Sequence, residues 1–346
     1  MDNNVYDNIL GLIANTPLIK LNRIVETIPA TVYAKLESAN PGHSTKDRIA
    51  LHIIEQAEKK GLLKPGATIV ETTSGNTGFS IAMVSIIKGY QCILSVSDKT
   101  KPEKIAYLKA LGAKVYVCPA NVPADDPRSY YEVAKRIASE TPNSIYINQY
   151  FNELNIDAHY SSTGPEIWEQ TKGKITHLIA CTGTGGTLSG SAKYLKEQNP
   201  DIKIIGVDAD GSILKTYHET GEINKDEIHS YQIEGLGKNL IPGALRFDLV
   251  DEFIRVNDED SAYRTREVAM KEGIMGGYTT GAATQALLQY AEQHPFKEDD
   301  VVVVIYPDHG SRYISKVYSD EWMESQGFNN NELKSYQDLN ETVYIK

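Results

Sequence analysis

Lys46 is the residue of this sequence best placed for covalent chemistry. It follows a turn-forming Asn-Pro-Gly sequence at residues 40–42 and precedes an apolar periodic stretch, residues 49–54, that predicts a helix. An amine in the first turn of a helix is held on ordered backbone, and partial burial beside another cation such as Arg48 favours its neutral, nucleophilic form. Such a lysine can form a Schiff base. The alternative, commoner for any single lysine, is a solvated side chain at a helix end.

A first glycine-rich turn, Thr-Thr-Ser-Gly-Asn-Thr-Gly at residues 72–78, lies between a predicted strand and a helix that begins near Thr77. Successive backbone amides, hydroxyl groups and a helix N-terminus can together bind an anion of carboxylate size. The alternative is a turn whose Ser or Thr only caps the helix.

A second glycine-rich turn, Gly-Thr-Gly-Gly-Thr at residues 183–187, follows the apolar run 178–181 and opens another predicted helix. Glycine lets backbone amides approach an anion closely, so the turn favours one phosphate group. It lacks the Gly-Lys-Ser/Thr ending of a Walker A loop, and Leu188 stands where a dinucleotide-binding fingerprint has its third glycine. A tight strand–helix turn without a ligand is the alternative.

A third turn, Pro-Asp-His-Gly-Ser-Arg-Tyr at residues 307–313, follows the last strong strand. Ligands of open α/β sheets bind outside the carboxyl ends of the strands, where all three turns are predicted to lie. The Asp-His pair suggests a general base, but without a Gly-x-Ser-x-Gly elbow a hydrolase triad is disfavoured.

Short β-branched runs alternate with longer helical patterns along the chain, which predicts an α/β fold with parallel sheet built from βαβ units. Region 209–250 lacks periodicity and is predicted to be a long loop over a cleft. Strands are predicted at 31–36, 68–71, 91–96, 114–118, 144–148, 176–182, 203–208, 252–256 and 301–306. Helices are predicted near 46–60, 77–88, 101–111, 128–139, 158–171, 187–198, 258–272, 281–293 and 311–318.

The bulk properties narrow the class of protein. The chain has 346 residues, enough for two domains, and a net charge of −11 without a basic run, which excludes nucleic acid as a favoured partner. Its three cysteines are widely spaced, and no cysteine or histidine cluster predicts a metal site. No apolar run is long enough to span a membrane, and the polar residues 1–4 do not open a signal peptide. We therefore expect a soluble cytoplasmic protein.

The motifs, taken in order from about Leu10 to Phe328, resemble those of the fold-type II pyridoxal-phosphate (PLP) enzymes, in the cysteine synthase and cystathionine β-synthase group. Residues 40–48 resemble the cofactor-lysine motif of that group, residues 73–78 its substrate-carboxylate loop and residues 183–187 its phosphate loop. Stretches that favour the cystathionine β-synthase side are 149–150, 206–214, 234–242 and 319–328.

The resemblance implies a tryptophan synthase β-like fold of two domains, each a mostly parallel twisted sheet flanked by helices. Residues 1–34 and 151–346 would form the larger domain, which binds the cofactor phosphate. Residues 35–150 would form the smaller domain, which binds the substrate carboxylate. Members of the group also lead us to expect a homodimer.

PLP is the cofactor that the resemblance implies, and Lys46 is the implied catalytic residue. The implied cofactor-binding residues are Lys46, Asn76, Gly183, Thr184, Gly185, Gly186, Thr187 and His309. The implied substrate-binding residues are Thr73, Ser74, Gly75, Asn76, Thr77, Gln149 and Gly235.

Two positions depart from the pattern of the group. His43 replaces a usually small residue, and His309 stands where the group generally places a serine beside the pyridine nitrogen of the cofactor. A neutral histidine that donates one N–H could do the same work, whereas a protonated one would strengthen the ring as an electron sink. Ser311 is an alternative partner of that nitrogen.

The expected reaction is β-replacement, in which a thiol displaces the β-substituent of an amino acid. Serine with homocysteine, giving cystathionine, is the favoured pair. O-acetylserine with sulfide, giving cysteine, is the second, and two cysteines giving lanthionine and hydrogen sulfide are the third. Residues 235–238 would line the entrance of the second substrate, where Lys238 would favour an acceptor that carries a carboxylate, although an exposed lysine is the more usual case.

Two functions of other classes are weighed against this one. A nicotinamide dehydrogenase fits the fold class but needs the glycine that Leu188 replaces. A non-catalytic binding paralogue would be expected to have lost Lys46, which is present.

Overall fold

The computed structural model describes residues 5–123, 125–329 and 345, which form two sheets covered by helices. The strands are β1 Leu18–Lys20, β2 Thr31–Leu36, β3 Thr68–Thr72, β4 Gln91–Ser97, β5 Lys114–Cys118, β6 Ser144–Tyr146, β7 His177–Cys181, β8 Lys203–Ala209, β9 Glu252–Val256 and β10 Val301–Tyr306. The α-helices are α1 Lys46–Lys59, α2 Asn76–Lys88, α3 Pro102–Ala110, α4 Tyr130–Glu140, α5 Leu154–Tyr160, α6 Thr163–Gln170, α7 Gly186–Gln198, α8 Leu214–Thr220, α9 Asp258–Glu272, α10 Tyr278–Gln293 and α11 Asp320–Ser325.

The sheets are almost entirely parallel. One has six strands in the order β1-β2-β10-β7-β8-β9, and the other has four in the order β5-β4-β3-β6. Every pairing is parallel except that of β1 with β2. The predicted α/β class, with mostly parallel sheets flanked by helices, is confirmed.

Strand β10 shows why the apolar runs form central strands. Val302 and Val304 pack into one hydrophobic cluster, whereas Val303 and Ile305 pack into another on the opposite face of the sheet. A strand covered on both faces needs apolar side chains at successive positions, which is the pattern of this run. In the smaller sheet, Ile69 likewise packs with α1 and α2.

The two sheets draw on different parts of the chain. Strands of the six-stranded sheet come from residues 18–36 and 177–306, and those of the four-stranded sheet from residues 68–146. We propose that they are the centres of the two predicted domains, 1–34 with 151–346 and 35–150, although β2 runs past the boundary at 34 to Leu36. Residues 1–4, 124, 330–344 and 346 of these ranges lie outside the described residues.

The helix predicted at 158–171 is two helices in the structure, α5 and α6. Pro165 has no N–H, so it cannot donate to the carbonyl of Ser161, four residues earlier. The first helix therefore ends before it, and Pro165 lies in the first turn of α6, where a proline is tolerated. The hydroxyl groups of Ser161 and Ser162 donate instead to the carbonyls of Asp157 and Ala158 (2.7 and 2.6 Å).

Region 209–250 is not entirely a loop, because it contains α8. That helix ends at Gly221, which has a left-handed backbone (φ 74°) typical of a glycine that terminates a helix. Region 311–318 contains only a short 3-10 turn at Gly310–Tyr313 rather than the predicted helix. The short elements β1 and α11 were not predicted from the sequence.

Candidate active site

The three turns that follow β3, β7 and β10 line one cavity of about 390 Å³. This is the expected place for a ligand in parallel sheets, at the carboxyl ends of the strands. Predicted site residues that line it are Lys46, Thr73, Ser74, Gly75, Asn76, Thr77, Gln149, Gly183, Thr184, Gly185, Thr187 and Gly235.

Lys46 is the first residue of α1, and its turn is attached to the segment that follows β10. The backbone N–H of Thr45 donates to the carbonyl of Pro307 (2.9 Å), and Ser44 pairs with Asp308 in an antiparallel bridge. Burial lowers the pKa of Lys46, although Asp308 and Glu37 act in the opposite direction. No described residue accepts a hydrogen bond from its amine. The neutral amine is therefore favoured.

Arg48 does not act on Lys46 in the expected way. The guanidinium of Arg48 pairs with the buried carboxylate of Glu37 (2.6 Å) and with Glu166 of α6 (2.6 Å). After burial, the cation that contributes to the lower pKa of Lys46 is Lys238. Arg48 instead anchors α1 to α6 and to the segment after β2.

The 183–187 turn has backbone N–H groups without an acceptor among the described residues, and all of its residues except Gly186 line the cavity. Residue 185 has a left-handed backbone (φ 88°) and precedes the first residue of the 13-residue helix α7. None of the five amides at 183–187 donates to another of the described residues. Amides that point at one place from a helix N-terminus suit an anion, so this donor set fits a phosphate group.

Two side chains outside the turn form hydrogen bonds with its two threonines. Asn155 donates to the hydroxyl of Thr184 (3.0 Å), and the hydroxyl of Thr187 lies 3.1 Å from Nε2 of His159. Burial holds the pKa of His159 well below its usual value, so this ring is neutral. Sequence reasoning missed Asn155 and His159, because neither lies in one of the three motifs.

Glycine is required in this turn by packing. A Cβ atom at Gly183 would lie 2.3 Å from the carbonyl oxygen of Gly235, and one at Gly185 would lie 2.5 Å from Cβ of Leu245. Gly186 begins α7 behind the cavity, where a Cβ atom would lie 2.0 Å from Asn155. Gly186 is thus the one member of the predicted phosphate loop that is not among the lining residues.

The 72–78 turn is a second set of amide donors. The amides of Thr73, Ser74, Asn76 and Thr77 donate to none of the described residues, and the hydroxyl of Thr77 donates to Gln149 (2.7 Å). These groups come from the carboxyl ends of β3 and β6, which are neighbours in the sheet. The arrangement fits a carboxylate.

Glu71 stabilises this turn through hydrogen bonds to its carboxylate. Its buried carboxylate accepts from the amides of Thr72 (2.6 Å) and Gln149 (3.1 Å). Burial raises the pKa of Glu71 to about 7, although these hydrogen bonds act in the opposite direction.

Asn76 joins the two sides of the cavity. Its Nδ2 donates to Asp308 (2.8 Å), and its Oδ1 accepts from Arg312. Arg312 also donates to the carbonyl of Gly42 (2.7 Å) and lies over the ring of Phe79, 4.3 Å from its centroid. The 72–78 turn, the turn before Lys46 and the segment after β10 therefore share one hydrogen-bond network.

Asp308 faces the cavity, whereas His309 does not. Asp308 is buried and accepts from Tyr313 (2.8 Å) as well as Asn76, and burial raises its pKa. His309 is not among the lining residues, and its ring contacts His43 instead. Ser311 is exposed. The assignment of His309 or Ser311 as partner of the pyridine nitrogen stays a prediction. Asp308 and His309 are not hydrogen-bonded to each other, as they would be in a general-base pair.

Charged residues surround the rim of the cavity. Glu234 pairs with Lys104 of α3 (2.7 Å) and with Lys316. Lys238 lies over the ring of Tyr150, with its amine 5.0 Å from the ring centroid. Among the residues that the structure describes, no cluster of three side chains could hold a metal ion, and no helix is long and apolar enough to cross a membrane.

Comparison with known proteins identifies the family of the chain. A family described as pyridoxal-phosphate dependent enzyme matches residues 9–308. Cystathionine beta-synthase of Apis mellifera is 44% identical over 326 residues, which cover 94% of this chain and 64% of that protein. Cysteine synthase 1 of Emericella nidulans is 38% identical over 321 residues, which cover 92% of this chain and 86% of that protein.

A solved structure of a hydrogen sulfide-producing enzyme from Fusobacterium nucleatum is similar throughout. It has a TM-score of 0.81 and 34% sequence identity, and the match covers 90% of this chain and 99% of that one. The chain spans less than two thirds of the length of the Apis relative. It belongs to the family of pyridoxal-phosphate dependent enzymes, as its motifs predicted, and PLP is its cofactor.

Proposed function

We propose that the protein catalyses β-replacement on serine or an activated serine with a thiol, and that its preferred reaction joins serine and homocysteine to give cystathionine. The observation that carries the proposal is a single cavity with two separate sets of free amides and a lysine that has no ionic partner among the described residues. Such a cavity suits one phosphate, one carboxylate and an amine that exchanges protons.

Residues 183–187 would hold the phosphate of PLP, and Lys46 would hold the cofactor covalently through Nζ. When bound, PLP supplies an electron sink that stabilises negative charge at the α-carbon of an amino acid. Asn76, which lies between Asp308 and Arg312, would contact the ring oxygen of the cofactor.

The amides of residues 73–77 and the side chain of Gln149 would bind the carboxylate of the amino acid. This orients its α-hydrogen, and Nζ of Lys46 would take up and return that proton. Burial favours the neutral form of the amine, which is the form that can accept a proton. Gly235, which packs against Gly183 of the phosphate turn, would contact the substrate at the cavity entrance.

Lys238 supports an acceptor that carries a carboxylate. No described carboxylate pairs with it, and its amine lies over the ring of Tyr150 at the cavity wall. A free cation at this place would attract homocysteine or cysteine more than it would attract an uncharged thiol.

Two other substrate pairs have specific support. The similarity to a cysteine synthase supports O-acetylserine with sulfide. The similarity to a hydrogen sulfide-producing enzyme supports two cysteines giving lanthionine and hydrogen sulfide. A cytoplasmic location and a homodimer complete the proposal; the three free cysteines are compatible with a reducing compartment.

Steady-state kinetics would test the choice of substrates. Serine, O-acetylserine and cysteine should each be supplied with homocysteine and with sulfide, and the thioether or cysteine product quantified. We expect the highest kcat/KM for serine with homocysteine. Lys238→Met should raise KM for homocysteine more than KM for sulfide, because sulfide has no carboxylate. Preference for O-acetylserine with sulfide would replace the proposal with its second form.

A further inference from the structure

We propose that His43 and His309 are a positioning pair, which holds the turn of Lys46 in place while the His309 imidazole is neutral. The inference rests on the proposed role of Lys46 but not on the choice of substrates. Both residues depart from the pattern of the group, and the structure brings them into contact.

The pair connects two segments that line the cavity. Its ring centroids are 5.3 Å apart with the planes tilted by 54°. The backbone N–H of His309 donates to the carbonyl of His43 (3.1 Å), next to the hydrogen bond between Thr45 and Pro307. His43 lies three residues before Lys46, so movement of this contact moves the start of α1.

His43 has a backbone conformation that its residue type disfavours. Its φ is 61°, in the left-handed region, where glycine is favoured and a side chain with Cβ is strained. Strained positions persist where the surrounding structure holds them. Here the contact of the His43 ring with His309 offsets the strain.

His309 requires one protonation state for its hydrogen bond. Its Nδ1 accepts from the backbone N–H of Ser311 (3.1 Å) and caps the short turn at Gly310–Tyr313. A protonated imidazole has two donors and no acceptor, so protonation breaks this cap. The turn carries Arg312, which binds Asn76 and the carbonyl of Gly42, so the effect extends to the cavity.

The surroundings of His43 disfavour its protonated form. Burial lowers the pKa of His43, and His309 and Arg312 lower it further. On the cavity side of the same segments, Asp308 and Asp47 are engaged in hydrogen bonds with Asn76 and Ser80, and Tyr318 donates to the carbonyl of Gly276. Protonation of either ring is therefore expected to separate the pair.

The test measures retention of PLP by the full chain after dialysis at several pH values between about 5.5 and 8. We expect wild-type protein to lose PLP progressively faster toward the acid end. His309→Ser keeps a side-chain acceptor for the turn but has no ring to titrate. It should therefore hold PLP roughly fivefold more weakly at pH 8, the factor for a ring contact of about 1 kcal/mol, with little further loss on acidification.

A double-mutant cycle adds a readout that is independent of pH. His43→Ala, His309→Ser and the double variant should show non-additive effects on PLP affinity, because each single change removes the same contact. Amide hydrogen exchange of the 40–46 peptide in the cofactor-free chain should rise in each variant. His294→Gln, at an exposed histidine paired with Glu252, is the control and should behave as wild type.

Two outcomes would overturn the proposal: the same pH dependence in wild type and His309→Ser, or strictly additive effects in the cycle. Both can occur in a protein that still binds PLP covalently at Lys46. Failure of the pair is thus distinguishable from failure of the proposed function.

Discussion

Lys46 and Lys35 show how surroundings separate a reactive lysine from a structural one. Burial lowers the pKa of both amines. The amine of Lys35 donates to Glu166 (2.7 Å), Gln170 (2.9 Å) and the carbonyl of Thr16 (2.6 Å). The amine of Lys46 faces the cavity without such partners among the described residues. Burial without a partner gives a nucleophile, whereas burial with partners gives a fixed charge.

Lys46→Ala should abolish the visible absorption band of the covalently bound cofactor and reduce activity to background, because no other amine replaces Nζ. Absorption spectra of the purified protein before and after addition of PLP check this. Lys238→Ala, which removes another lysine of the cavity wall, should retain the band. A Lys46→Ala variant that keeps it would disprove the assignment.

Glu71→Gln should change how stability depends on pH. The pKa of Glu71 in the folded protein is about 7, above its ordinary value of 4.5, so the folded state binds the proton more tightly. Its contribution to stability is present below pH 4.5 and is lost as pH rises to about 7. The variant should lose this pH dependence, which changes the free energy of unfolding by on the order of 1–3 kcal/mol over that range.

Urea unfolding at pH values across this range measures the effect. Glu58→Gln is the control, because Glu58 is partly exposed and binds Lys88 and Tyr90 at the surface. Equal slopes in wild type and Glu71→Gln would contradict the explanation.

Individual residues were predictable where the motif itself supplies the contact. Lys46 and the backbone of 73–77 and 183–187 belong to local turns, so their spacing indicates their place. The direction of a side chain after a strand is not local. Asp308 and His309 are neighbours, but packing against Tyr313 and His43 decides which of them faces the cavity.

At the level of elements, α7 and the turn at 183–187 before it together form the proposed phosphate site. Gly185→Ala should weaken PLP binding, because the new Cβ atom would meet Leu245 at 2.5 Å and the left-handed backbone (φ 88°) would be strained. We expect at least a tenfold loss of affinity, which corresponds to about 1.4 kcal/mol. Equilibrium dialysis against PLP measures it.

Gly221→Ala is the matched control for that variant. Gly221 also has a left-handed backbone (φ 74°), but nothing lies within 4 Å of its Cβ position. The control should lose about 1 kcal/mol of stability and keep its affinity for PLP. Similar losses of affinity in both variants would show that the strain, rather than the shape of the turn, is responsible.

Elements were predictable from local patterns where a β-branched or apolar periodic run ends at turn-forming residues. Strands such as β5, β9 and β10 have the predicted bounds because β-branched runs end at turn residues. Helix α8 was missed because only Leu214 of its seven residues is buried, so no periodic apolar face marks it. Gly221, which is typical of a helix end, was the only residue that indicated this helix.

At the scale of the whole molecule, a surface groove beside α1 and α2 exposes apolar side chains among polar ones such as Asp7, Glu55 and Lys88. It is lined by residues that include Val5, Leu10, Leu51 and Ile87, and Val5 is 84% exposed. Exposed apolar patches of this kind favour association, and a second copy of the chain is the proposed partner.

Ile87→Asp should therefore convert the proposed dimer into a monomer, because it places a charge among the apolar side chains of the groove. Sedimentation velocity measures the change. Ile228→Asp is the control, since Ile228 is similarly exposed (38%, against 43% for Ile87) and lies outside the groove. A monomeric wild type, or dissociation by both variants, would contradict the proposal.

The two proposed anion sites consist mainly of main-chain amides, which no ordinary point mutation removes. Charged side chains of the cavity, such as Glu234 and Lys238, lie instead at the rim. A substitution at the entrance can thus change which thiol reacts, while the amides proposed to bind the cofactor stay unchanged. Libraries intended to alter the product should be directed to that entrance.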